Sequence, residues 1–263
     1  MTRFAASALA AAALIAAATP GHAQDFRWSG RLAAGKAIEV VTVVGDVRAV
    51  PASGNTVEAV AEMEGRTLPV RVVEHEDGVT LCVVYPTSGG RGRIESGDHC
   101  SQNGNLKDPP RVDFTVRVPA GVRFVGRTVQ GDVRAEALRS PVRASTVSGS
   151  VDVRTSDEAQ ASSVSGDIRV SMGRLPRSGT LRFSTVSGDV RLTLPASAGA
   201  ELRLNTLSGE IDSEFPLMVT ARGSRNGGSR VRVGQKVEAT LGRGGPTIDI
   251  NTVSGDVELN RGS

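Results

Sequence analysis

Six acidic residues each follow a glycine in near-copies of one short phrase: Asp46, Asp132, Asp167, Asp189 and Asp256, with Glu210. The phrase reads "STVSGDVRL" at 184–192, "STVSGSVDV" at 145–153, "SSVSGDIRV" at 162–170, "NTLSGEIDS" at 205–213 and "NTVSGDVEL" at 251–259. Looser copies read "VTVVGDVRA" at 41–49 and "RTVQGDVRA" at 127–135. Stacked copies would bring neighbouring carboxylates to about 5 Å, close enough to hold a cation. Four of the acids, however, are followed two residues later by Arg48, Arg134, Arg169 and Arg191. Residues two apart on a strand share a face, so an Asp column would run beside an Arg column. The expectation is a charge-compensated, structural surface ladder of Asp132, Arg134, Asp167, Arg169, Asp189, Arg191 and Asp256, with no metal site. Calcium-binding β-rolls also use a shorter Gly/Asp repeat of about nine residues.

The serines before each glycine, Ser148, Ser165, Ser187, Ser208 and Ser254, invite a nucleophile reading. A nucleophilic serine needs a base and an orienting group within reach. The three histidines are His22, His75 and His99, and none lies in a repeat. A turn or ladder hydroxyl is the better reading, so no catalytic residue and no cofactor is expected. Asp98, His99 and Cys100 form a poor metal-ligand set. The rival is a polysaccharide-active β-helix enzyme using outward carboxylates and Arg on one coil face. Arg222, Arg225, Arg230 and Arg232 make a basic run that either grips an anionic glycan or lipid headgroup or keeps a Gly-rich loop solvated.

These residues need a scaffold with a matching period. Measured by Gly45, Gly131, Gly149, Gly166, Gly188, Gly209 and Gly255, the steps are 86, 18, 17, 22, 21 and 46 residues. The four middle steps suit single coils, and 46 suits two coils of 23. Within a coil the alternation is two-fold and places Val186, Val190, Leu192 and Leu194 on an inward face. A second strand precedes each phrase, as in "GTLRFST", "AELRLNT" and "PTIDINT". No segment from Gln24 onward has a convincing helical period. A β-sandwich would also use short strands, but it has no reason to repeat its sequence. The expected fold is therefore all-β: a single-chain parallel β-solenoid of 17–23-residue coils, with right-handed winding.

Three segments follow from this. Residues 1–23 form a signal peptide, with Arg3 before an apolar run and cleavage between Ala23 and Gln24. Residues 24–126 are a less regular β part, and 127–263 hold the regular coils. Cys82 and Cys100 enclose 17 residues and are expected to form a disulfide that staples a polar loop at about 86–110. The leader's apolar run, Phe4 to Ala18, is too short to span a bilayer comfortably, and no second run of spanning length is found. Removing Arg3 with the leader leaves 30 basic residues against 28 acidic ones, interleaved along the chain. With one Trp and one Tyr, that pattern argues against a nucleic-acid surface.

The repeated phrases, the segments "FRWSGRLAAGKAIEVVTVVGDV" and "DGVTLCVVYP…VDFTVRVPAGV", and the ending "GRGGPTIDINTVSGDVEL" resemble a bacterial secreted family of unknown function labelled "putative adhesin". The resemblance covers nearly all of the mature chain. It implies an exported β-solenoid and brings no catalytic residues. The expected task is adhesin-like binding or scaffolding at the cell envelope or surface, in the periplasm or outside the cell. The partner would be an envelope protein or a glycan. Only "NRGS" follows the last phrase, so an uncapped C-terminal coil open to self-association is also expected.

Overall fold

Short, β-branched, alternating segments separated by Gly turns favour strands, and strands are what form. The computed structural model describes residues 26–85, 109–216, 218–219, 230–232 and 237–262, with no helix among them. Seven strands precede the regular repeats: β1 (Phe26–Arg31), β2 (Ala37–Val41), β3 (Val47–Pro51), β4 (Thr56–Met63), β5 (Val70–His75), β6 (Gly78–Val83) and β7 (Val112–Val118). Eight follow at short intervals: β8 (Arg123–Arg127), β9 (Val133–Leu138), β10 (Val142–Ser145), β11 (Val151–Thr155), β12 (Ala159–Ser162), β13 (Ile168–Met172), β14 (Thr180–Ser184) and β15 (Val190–Pro195). The rest are β16 (Ala200–Ser208), β17 (Glu210–Ser213), β18 (Met218–Val219), β19 (Arg230–Arg232), β20 (Val237–Leu241), β21 (Thr247–Ser254) and β22 (Val257–Gly262).

The strands form two parallel-rich sheets. Sheet 1 runs β1-β4-β7-β3-β9-β11-β13-β15-β22-β17-β19, and sheet 2 runs β18-β20-β16-β21-β14-β12-β10-β8-β2-β6-β5. Each phrase carries the chain from a sheet 2 strand to a sheet 1 strand. Such a pair is a rung, numbered here by its glycine. In space the rungs follow the order 45, 131, 149, 166, 188, 255, 209.

That order corrects two expectations. The gap of 46 residues does not hold a second parallel coil, because β20 runs antiparallel to β16 and β19 antiparallel to β17. Nor does the last phrase end the stack: β22 pairs with β15 on one side and β17 on the other, and β21 lies between β14 and β16. The C-terminal rung is therefore interior. The chain builds rung 209 first, turns back through antiparallel strands, and lays its final rung into the space left between 188 and 209.

The other end mirrors this. Rung 45 lies between β6/β7 and rung 131. Antiparallel β4 and β1 then cover the β7 side, while β5 covers β6. Antiparallel strands at both ends satisfy the parallel edges that a bare coil would expose.

The inner faces of the sheets make one dry core, from Ile38, Val47 and Phe114 at one end to Leu204, Ile250 and Leu259 at the other. One inward column reads Val40, Gly126, Ala144, Ala161, Phe183, Ile250, Leu204. Its small residues fall in the rungs with the shortest steps, where less chain leaves less interior to fill. A methyl group on Gly126 would come 2.8 Å from Val133 and 3.0 Å from the Phe124 ring. Cys82 is buried in β6, and its expected partner Cys100 lies outside the described residues.

Candidate functional surface: the corner of the rungs

The turn between the sheets is where the phrase acts, and each position has its own role. The Thr or Ser three residues before the glycine points inward. Its hydroxyl donates to the glycine carbonyl of the preceding rung: Thr128 to Gly45 and Thr146 to Gly131, both at 2.9 Å, then Ser163 to Gly149 at 2.9 Å and Thr185 to Gly166 at 3.1 Å. Thr252 bonds back to Gly188 and Thr206 to Gly255, which repeats the spatial order of the strands. At the first rung no earlier glycine exists, and the Tyr85 hydroxyl lies 3.1 Å from that of Thr42 and accepts from the Val43 and Val44 amides.

Glycine is obligatory because rungs approach closely here. Gly166 and Gly188 have φ of 149° and 147°, and a Cβ on either would sit 2.0 or 2.3 Å from the preceding glycine oxygen. No L side chain fits that geometry without opening the stack.

The acids after glycine are engaged with backbone. Asp46 accepts from the Asp132 amide at 2.8 Å, Asp132 from Ser150 at 2.8 Å, Asp167 from Asp189 at 3.0 Å, Asp189 from Asp256 at 2.9 Å, and Asp256 from Glu210 at 2.8 Å. The second carboxylate oxygen meets arginine: Arg134 on Asp132 at 2.5 Å, Arg169 on Asp167 at 2.7 Å and Arg191 on Asp189 at 3.1 Å. Two rungs depart from that pattern. Asp46 pairs with Arg111, while Arg48 reaches Glu136, brought within reach by the bulge at Ala137. Asp256 is followed by Glu258, which takes Arg191 at 2.9 Å.

The pKa shifts have the same causes. The hydrogen bond to Glu258, with the carboxylates of Asp189 and Asp167, raises Arg191 against some desolvation. The hydrogen bond from Arg48 holds Glu136 below the usual carboxylate range. Among the described residues no three His, Cys, Asp or Glu side chains cluster to hold a metal.

The side chain between Thr and Ser was expected in the core and is not there. Val147, Val164, Val186 and Val253 are 43%, 43%, 48% and 45% exposed, and Leu207 is 70% exposed. The inward place belongs to Thr185 and its equivalents, whose β-branched bodies pack while their hydroxyls bond across rungs. Two-fold alternation fails because β14 ends at Ser184 and the corner bends before β15 begins. Val43 and Val129, half-buried, hold the equivalent place in the two remaining rungs, Val43 packing against the core. Of the large apolar side chains exposed among the described residues, all but Val72 lie in this column.

The stripe is bordered by polar columns. Arg127, Ser145, Ser162, Ser184, Asn251 and Asn205 run along one side in register. Along the other, Gln130, Ser148, Ser165, Ser187 and Ser254 form successive parallel bridges. At about 4.8 Å per rung, six intervals make the stripe about 29 Å long.

A hollow of about 380 Å³ lies elsewhere, on the outer face of sheet 2. Its walls mix Glu39, Asp77 and Glu158 with Arg123, Arg127 and Arg143. Glu39 is already held by Arg127 at 3.0 Å and by the Thr80 hydroxyl at 3.1 Å, and Thr80 in turn lies 3.0 Å from His75 Nε2. Arg222 and Arg225 of the basic run, with His99 and the leader cleavage site, lie outside the described residues. Arg230 and Arg232 belong to β19.

Comparison with known proteins gives a family. The model described as DUF4097, Toastrack DUF4097, matches residues 123–260, just over half of the chain. No curated protein matches in sequence. Among solved structures, a "putative cell adhesion protein" of Clostridium sporogenes is similar at 10% identity and TM-score 0.45, covering 91% of this chain and 100% of its own. A "putative adhesin" of Bacteroides fragilis is similar at 11% identity and TM-score 0.35, covering 90% and 97%. A "putative lipid binding protein" of Parabacteroides distasonis is similar at 10% identity and TM-score 0.26, covering 91% and 97%.

Proposed function

The chain belongs to the Toastrack DUF4097 family, and from that premise we propose that it is a non-catalytic contact and scaffolding module of the bacterial cell envelope. In this reading residues 1–23 direct export, and the mature protein works in the periplasm or at the cell surface. Cys82 and Cys100 close the 86–110 loop, and the rungs wind right-handed.

The observation that carries the proposal is the apolar stripe. A folded chain rarely leaves a contiguous row of large apolar side chains in water unless the row meets something. The enzyme alternative asks for free carboxylates in a groove. Here the rung carboxylates are occupied by backbone amides and arginines, and Glu39 in the hollow is bound by Arg127.

The test is retention on a washed envelope preparation. Val186→Asp in the stripe is expected to abolish retention, while Val72→Asp, at an exposed apolar site outside it, leaves retention intact. Equal retention of both variants would refute a contact role for the stripe.

A further inference from the structure

We propose that a second hollow, at the β1 end of the stack, is a binding site for one neutral hexose unit of a glycan. This site is separate from the stripe. Lys36, in its lining, precedes β2, whereas the corner that carries the stripe follows β2.

The first argument is the placing of the aromatic side chains. The chain has one Trp, one Tyr and six Phe. Phe114, Phe124, Phe183 and Phe215 fill the core, and Tyr85 closes the first corner. Trp28 is only half-buried, on the inward face of edge strand β1, and there it lines a hollow of about 410 Å³. Glycine at position 30 follows from this ring, since a Cβ there would come 2.6 Å from Cζ2 and 2.8 Å from Cη2. Glycine weakens a strand interior, and here it lets the indole lie along its own strand. The indole N–H has no hydrogen-bond partner among the described residues, yet solvent reaches it. An aliphatic side chain would seal the end of the core as well. Only Trp adds a π face and a donor to the hollow's wall.

The second argument is the rest of the lining. Leu32 and Val79 supply an apolar floor that continues the core. Around it stand Glu74 and Glu76, with Arg31 and Lys36. The two carboxylates and the Arg31 guanidinium make no hydrogen bond or ion pair among the described residues, and Lys36 gives one proton to the Glu76 carbonyl at 2.7 Å. His75 is held by Thr80 at 3.0 Å. Open acceptors and open donors in one small space suit hydroxyl groups, each of which donates and accepts. Two anions offset two cations, so the lining favours a neutral ligand over a uronate, an amino sugar or a phosphate. An acyl chain would need apolar walls throughout. A hexose instead offers a face of C–H groups to the indole and a rim of hydroxyls to the charged groups. The volume is at the low end of ligand hollows, which run from about 300 to 1,000 Å³, and suits one ring.

For a ligand of about a dozen heavy atoms, half-saturation falls in the millimolar range. Such a site does not hold the chain on a washed envelope by itself, so retention there still reads the stripe.

Trp28 is the only tryptophan, so its fluorescence reports this site alone. The purified chain, titrated with glucose, galactose, mannose and N-acetylglucosamine, is expected to show a saturable emission change with at least one of them. Sorbitol, an open-chain polyol, should give none, and galacturonate and glucosamine should bind more weakly by about threefold or more. Glu74→Gln, at an exposed position, should weaken the best sugar by about three- to tenfold with Tm unchanged. Trp28→Leu should lose the rise in Tm that this sugar gives wild type. Should Trp28→Leu melt early, Glu74→Gln supplies the independent reading. Val186→Asp should respond as wild type does. Four results would overturn the proposal: no saturable response to any of the four sugars, a response that sorbitol reproduces, tighter binding of a charged sugar, or an emission change with trileucine and none with sugars. Any of these, together with loss of envelope retention in Val186→Asp, would reject the hollow while leaving the contact role of the stripe standing.

Discussion

Replacing Gly188 by alanine tests whether the corner glycines are masonry of the stack or merely turn formers. Gly188 has φ of 147°, and a Cβ there would sit 2.3 Å from the Gly166 carbonyl oxygen and 2.6 Å from its carbon. Ordinary contact begins near 3.4 Å, so rungs 166 and 188 must part by about 1 Å at this point. That movement loosens the Thr185 hydroxyl bond to Gly166 at 3.1 Å and the Asp189 amide bond to Asp167 at 3.0 Å. Each such bond contributes about 1 kcal/mol net, and the backbone conformation adds about 1–2 kcal/mol of strain for an L residue. The expected loss is about 3–4 kcal/mol, which for a domain of this size lowers Tm by about 10 °C. Gly35→Ala is the matched control, because Gly35 has φ of 86° but nothing within 4 Å of an added Cβ. It should lose only the backbone strain, about 1 kcal/mol. Urea unfolding of both variants, followed by far-UV circular dichroism, measures the difference. Equal stability of the two would refute the argument that rung-to-rung contact, not turn conformation, demands glycine.

Three further outcomes can be measured. Asp189→Ala should cost about 1–2 kcal/mol by leaving the Asp256 amide unbonded, whereas Asp189→Asn should retain most of that stability because its Oδ1 still accepts. Millimolar calcium should leave the wild-type melting curve unmoved, and a clear stabilisation would restore the acid column as a cation site. Reduction of the protein should lower Tm, since a disulfide closing a loop of 17 residues contributes about 3 kcal/mol in the chain-entropy view. An unchanged transition would reject the proposed Cys82–Cys100 link.

The period of the phrase made the all-β, two-sheet architecture legible, because a strand that buries one face must find its equivalent one rung away. The core residues after glycine were legible for the same reason: Val190, Leu192 and Leu194 are fully buried. The corner was not. Alternation assigns Val186 inward, but a turn resets the phase, and only the inter-rung hydroxyl bond of Thr185 reveals which side chain is interior. A usable signal was present in the near-constant Thr or Ser at 42, 128, 146, 163, 185, 206 and 252, since a residue chosen only for solvent would vary more. The ends of the stack were illegible for a different reason. Steps counted along the chain give coil lengths only while the chain adds rungs in order, and the steps of 86 and 46 are where it stops doing so.

Those two irregular steps also explain how the stack of rungs closes. A chain adding rungs in strict order leaves its first and last strands at the edges, where unpaired amides and carbonyls invite further strands. Here rung 45 and rung 255 are each flanked by parallel neighbours on both sides, and the outermost places fall to antiparallel strands: β1, ahead of the first rung, and β5, β18 and β19, from within the two excursions. Antiparallel pairing does not continue the parallel ladder, so it ends growth in the direction of the stack. Regular rung-to-rung contact is thereby blocked at both ends and left open along the corner, where Val147, Val164, Val186, Val253 and Leu207 stand in water. The same topology that stops end-to-end growth leaves the corner stripe as the main apolar surface exposed among the described residues.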